Sequence, residues 1–179
     1  TWLAVAAGGA AFQAGLFAAA AFAMLCLHHA ANMLNDVCDY RRGLDTVPNP
    51  ASGAISRGWL NDREDLRGAV ALAAVGAVPG LWLIWKTGWD LFWIAAAGAL
   101  LGTVYSAGPR PLKQYALGDA AVFFAFGVLG SLGAWTVQTG RAAWLPAIWA
   151  VPFSLQVSAV LHANNWRDRT VDLSQGVRT

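Results

Sequence analysis

Asn32, Asn35, Asp36 and Asp39 follow one another at spacings of 3, 1 and 3. In a helix that spacing puts all four on one face. Asp45 follows close behind, so three aspartates fall within ten residues. Such carboxylates repel one another when ionised. Protonation relieves the repulsion, and so does a hard, oxygen-seeking cation such as Mg2+. A second cluster runs from Asn164 and Asn165 through Arg167, Asp168 and Arg169 to Asp172. Asp168 and Asp172 are four apart, again one helix face. Mg2+ keeps few protein ligands and completes its shell with phosphate oxygens. Two acidic clusters facing each other therefore ask for a phosphate-bearing ligand between them. By charge and side, Arg41, Arg42, Arg57, Arg110, Lys113 and Arg169 are its partners. Either cluster alone reads as well as the capping and ion-pair network of a loop. Two clusters on one side, each beside an Asn, favour the ligand site.

The elements that hold these residues are apolar. The chain has 179 residues, 57% hydrophobic and only 12% charged. Soluble domains carry roughly 25% charged residues. This composition excludes a disordered chain, a disulfide-rich secreted domain and a soluble enzyme, and leaves a polytopic membrane protein. The net charge of +2 gives no reason to expect a nucleic-acid partner. Cys26 and Cys38 lack metal-ligand spacing and read as free thiols. No basic leader with a small-residue cleavage site is present.

The fold expected is all-α, a transmembrane helical bundle within a single domain over 1–179. A membrane span needs roughly 20 apolar residues. Five windows qualify: Ala14 to about Asn35, Leu66 to Trp85, Trp89 to Ala107, Leu117 to Gln138, and Ala142 to about His162. Residues 1–8, set off by Gly8-Gly9, read as the end of one further helix. Alternating helix directions sort the loops into two sets. One set carries ten of the twelve Lys and Arg; the other has only Lys86 and Arg141. The basic set should be cytoplasmic. Nine of the ten acids lie in or beside it. Trp82, Trp85, Trp89 and Trp93 bracket one far-side turn, and Trp135, Trp144 and Trp149 the other. They are expected at a headgroup boundary. His28 and His29, inside a span, are expected to be packed and hydrogen-bonded rather than catalytic.

These motifs resemble those of the UbiA superfamily of intramembrane prenyltransferases, and most of all its 1,4-dihydroxy-2-naphthoate branch. The family's first motif, Asn-Asp-x-x-Asp, stands here as Asn35 to Asp39. The branch continues with Tyr, basic residues and Gly-x-Asp-Thr, matched by Tyr40-Arg41-Arg42-Gly43-Leu44-Asp45-Thr46. Its Ala-Ser-Gly-x-Ile-Ser appears at 51–56, and its Tyr-x-x-Gly-Pro-x-Pro-Leu at 105–112. The second motif, Asn-Asn-x-Arg-Asp-x-x-x-Asp, is Asn164 to Asp172. There are departures. Val37 and Cys38 stand where aromatics are common, and His28-His29 where Gln is usual. After the second motif the branch often has Gly-Lys-x-Thr; here Gly176-Val177-Arg178-Thr179 lacks that Lys, which either weakens a phosphate contact or leaves it to Arg178. By this resemblance the chain covers the end of the family's first helix through its sixth, with the last three outside it.

The resemblance implies a reaction. Polyprenyl diphosphate lies in the bundle with its head between the clusters. Asp36, Asp39, Asp168 and Asp172, with Asn35, hold Mg2+. Arg41, Arg57, Arg110, Lys113 and Arg169 add charge at the diphosphate. Asn32, Asn35, Asp45 and Asn165 orient ligand oxygens, and Tyr105 faces the allylic cation. The acceptor is a dihydroxynaphthoate-like aromatic ring, in menaquinone synthesis, within a bacterial cytoplasmic membrane. Two alternatives stand beside this. One is a sister transferase acting on 4-hydroxybenzoate, homogentisate or a chlorophyllide. The other is a non-catalytic subunit of a larger membrane-protein complex.

Overall fold

The computed structural model describes residues 11–44, 46, 48 and 53–174; inside the last helix the side chains at 168, 170–172 and 174 lie outside that description. The expected helix end at 1–8 also lies outside it, as do Asp45 and Arg178.

Helix α1, Ala14–Arg41, runs unbroken for 28 residues. Alanine, leucine and methionine, good helix formers, fill half of its length. Its end is set by Gly43, which takes a left-handed φ of 77°. The Gly43 and Leu44 N–H groups then bond back to the Tyr40 and Asp39 carbonyls. The whole first motif therefore sits in the last turns of a membrane helix, and not on a loop.

Helix α2, Asp62–Thr87, starts at a capping box. The Asn61 side chain accepts from the Arg63 and Glu64 N–H groups, and Glu64 accepts from the Asn61 N–H at 2.9 Å. Small residues let α1 and α2 approach closely. A Cβ on Gly76 would meet Cys26 and the Ala23 carbonyl, and one on Gly68 would meet the end of Met33.

Helix α3, Trp89–Ser106, returns to the motif end. A connection with a short 3-10 turn, Leu112–Gln114, leads into α4, Gly118–Thr139. Within α4 the stretch Phe123–Leu129 is π-helical. Leu16, Leu83, Leu91 and Val137 form a core cluster at the end away from the motifs, one residue from each of the four helices.

Among the described residues, three helices are long and apolar enough to cross a membrane: α1, α2 and α4. The expected span at 89–107 is an 18-residue helix. The expected span from Ala142 to His162 is instead two helices, α5, Leu145–Trp149, and α6, Val151–Ser174. Proline explains the break. Pro152 has no N–H to continue the α5 ladder, and the chain turns at Ala150 before α6 begins. Outward faces carry large apolar side chains, such as Val78 at 71% and Trp85 at 81% exposure. In a helical bundle of this composition those faces meet lipid. Trp135 departs from the boundary expectation: it is 7% exposed, in a run through Gln138 that is buried in the bundle.

Candidate active site

Side-chain contacts confirm that the loops gather at two opposite ends. At the far end, Gln138 and Gln13 bond each other, and Asp90 accepts from the Ala142 N–H. At the motif end the contacts are more numerous and more charged.

Their centre is Asn35, Asp39 and Lys113. One turn apart on α1, Asn35 donates to Asp39 at 3.2 Å. From the α3–α4 connection, the Lys113 ammonium donates to the Asp39 carboxylate at 2.6 Å and to the Asn35 amide oxygen at 2.5 Å. The same Asn35 oxygen accepts from the Ser106 hydroxyl at 2.7 Å. The Lys113 and Asp39 side chains are only 15% and 18% exposed. Arg42 locks the connection in place by donating to the Ser106 and Gly108 carbonyls at 2.7 and 2.8 Å.

Asp36 points elsewhere. A Cβ built on Gly53 would fall on its carboxylate, so the backbone at residue 53 reaches Asp36 only because that residue has no side chain. The first motif thus meets two segments far away in sequence, one at each carboxylate.

The other expected site residues are distributed as follows. Asn32 lies beside His28, with 3.4 Å between Nδ2 and Nε2, and His28 also meets the Phe126 ring edge to face. His28 is thus packed as expected, whereas His29, expected to be packed with it, is exposed. Arg41 pairs with Asp62 at 2.9 Å, at the start of α2, and does not join the Asn35–Asp39 group. Arg57 stacks over Trp59, and Arg169 over Trp166. Arg110 is exposed between Pro109 and Pro111. Tyr105 packs its ring beside Gly118. Asp45 and the side chains of Asp168 and Asp172 lie outside the described residues.

Two functional-end residues are absent from the sequence reading. Ser106 is one. The other is Asp119, in the first turn of α4, whose carboxylate lies 2.8 Å from His162 Nδ1 and accepts from Asn165 at 3.4 Å. Its carbonyl accepts from the Ser158 hydroxyl at 3.1 Å. Asp119 carries only the signal of an acid at the start of an apolar window. That pattern marks any helix N-terminus.

Among the described residues, no three or more His, Cys, Asp or Glu side chains are grouped to hold a metal ion. The donors that do converge, the Asn35 amide and the Asp39 carboxylate, are all oxygen, and they already surround one cation, the Lys113 ammonium. That donor chemistry suits a hard ion such as Mg2+.

A model of the UbiA prenyltransferase family matches residues 1–179. The chain is 32% identical over 161 residues to the Rattus norvegicus protein named UbiA prenyltransferase domain-containing protein 1, covering 89% of this chain and 47% of the relative. The Homo sapiens protein of that name is 31% identical over 166 residues, 92% of this chain and 49% of the relative. A Bacillus subtilis (strain 168) protein named 1,4-dihydroxy-2-naphthoate octaprenyltransferase is 28% identical over 165 residues, 92% of this chain and 53% of the relative. The chain spans about half the length of the curated relatives it matches. No solved structure matches it.

Proposed function

The chain belongs to the UbiA prenyltransferase family, and from that premise we propose that it builds the diphosphate end of a membrane enzyme transferring a polyprenyl group to an aromatic ring. The observation that carries this reading is the convergence of Lys113 on Asn35 and Asp39. A cation from one segment and oxygens from another are what a diphosphate with its metal needs at one point.

The favoured acceptor is 1,4-dihydroxy-2-naphthoate. The Gly43-Leu44-Asp45-Thr46 form supports it, and so does the name of the Bacillus relative. Asp36, Asp39 and Asn35 of the first motif, with Asp168 and Asp172 of the second, are the residues that would hold Mg2+. When bound, Mg2+ supplies charge neutralisation that makes the diphosphate a better leaving group. Lys113 and Arg110 add positive charge on the loop side, with Arg57 and Arg169 from the flanking segments. Arg41, held by Asp62, is the least available of the basic residues. The carbon–oxygen bond to the diphosphate breaks, and the electron pair leaves with the phosphate. The electron-rich ring carbon then attacks the allylic cation, and the ring regains its aromaticity by expelling its carboxylate as CO2, whose C–C bonding pair returns to the ring. The bilayer and the apolar bundle exclude water from that cation. The Tyr105 ring, beside Gly118, is the aromatic face assigned to stabilise it. The excess of basic residues at the motif end supports a cytoplasmic side for this chemistry in a bacterial membrane.

The test uses the full-length protein in nanodiscs, a polyprenyl diphosphate and four ring acceptors: dihydroxynaphthoate, 4-hydroxybenzoate, homogentisate and chlorophyllide. Mass spectrometry should find a prenylated product with the naphthoate alone, and only with Mg2+ added. Faster transfer to another ring would reassign the acceptor. No product with any ring would favour a non-catalytic subunit.

A further inference from the structure

The two motifs are joined through one short connection. Lys113 grips the first motif, and Asp119, at the start of the next helix, grips α6. Three α6 residues meet Asp119: Ser158 and His162 are four apart, and Asn165 follows three later. That spacing is one helix face. Continued by three and then four positions, it reaches 168 and 172, the aspartates of the second motif. The α6 face that Asp119 holds is therefore the face that bears the second motif. A rotation of α6 by one residue would turn that face by about 100° and carry the motif with it.

We infer that Asp119 is a positioning residue: acting through His162 and Asn165, it fixes the rotation of α6 and with it the helix face on which positions 168 and 172 lie. This rests on the prenyltransferase reading above for its consequence, but the rotational lock does not depend on which ring is prenylated. The Asp119 and His162 side chains are 38% and 68% exposed, so each contact is a solvated one and its effect is modest.

The experiment compares wild-type full-length protein with Asp119→Ala, Asp119→Asn and His162→Ala. It reads the Mg2+ concentration for half-maximal transfer, the KM for polyprenyl diphosphate, the KM for the acceptor, and Mn2+ binding without turnover. Asp119→Ala and His162→Ala should each weaken Mn2+ binding and raise the Mg2+ and diphosphate values about fivefold, the upper end for an exposed polar pair. The acceptor KM and kcat should stay within about twofold, because the link acts on the acidic motif and not on the ring. Asp119→Asn, whose amide can still meet both partners, should recover most of the loss. His162→Ala breaks the link without altering α4, so it carries the test if the Ala variant at 119 does not fold. Unchanged Mn2+ binding in both Ala variants would overturn the inference. A change confined to the acceptor KM would also overturn it, by making Asp119 an acceptor contact. An inactive wild type would instead defeat the prenyltransferase reading, and Mn2+ binding would still decide the role of Asp119.

Discussion

At the scale of single residues, Gly53 and Lys113 act on different carboxylates of one motif. The Asp36 carboxylate fills the place where a Gly53 side chain would be. Gly53→Ala should therefore displace Asp36 and leave the helices intact. Displacement of a reacting group by about an ångström can cost on the order of a hundredfold in rate. We expect prenyl transfer by the full-length Gly53→Ala protein to fall at least tenfold, with an unchanged helical circular-dichroism spectrum. A rate within about twofold of wild type would remove the role given to this contact. Lys113→Met leaves the half-buried Asp39 without its ammonium partner. Losing a hydrogen bond to a charged group costs about 2 kcal/mol. The variant should unfold at lower temperature and require about tenfold more diphosphate, while Lys113→Arg should keep most of both. Lys113 is legible in the sequence because a base next to Gly-Pro-x-Pro on the acidic side has few other uses. Asp119 is not legible, since its partners lie about 40 residues away on another helix. The spacing that links Ser158, His162 and Asn165 acquires meaning only once α4 is known to face α6.

At the scale of elements, α1 is the piece the sequence predicts best. An uncharged run leading straight into Asn32, Asn35, Asp36 and Asp39 can only be a membrane helix that carries its polar groups at one end. The structure extends it to Arg41 and ends it at Gly43. The fifth window was less legible. Hydropathy averages over Pro146 and Pro152, and the backbone does not, so α5 and α6 separate at Ala150. The π-helical stretch of α4 has no sequence signature; it lies where α4 meets α6. There a Cβ on Gly127 would fall on the Ser154 side chain. Gly127→Val should overpack that crossing and destabilise the protein by about 1–3 kcal/mol. Gly76→Leu should do the same between α1 and α2, where Cys26 and the Ala23 carbonyl leave no room. Thermal unfolding in detergent reads both. If either variant melts with the wild type, the close packing at that glycine carries no stability.

At the scale of the whole molecule, the scarcity of charge and its placement say the same thing. Only 12% of residues are charged, and the contacts among them concentrate at one end. The far end is closed by amides and a core of leucines and valine. A cysteine placed at Arg63 should be labelled by a membrane-impermeant reagent only from the cytoplasmic side, and one placed at Arg141 only from the other. The central claim is that the two acidic motifs work as one diphosphate site. Prenyl transfer by full-length Asp36→Asn and Asp168→Asn proteins tests it most directly. Each neutral variant should lose at least about a hundredfold in transfer rate, in line with the loss of a charge-stabilising group, and the double variant should lose little more than either single one. Near-wild-type transfer in both single variants would contradict the account.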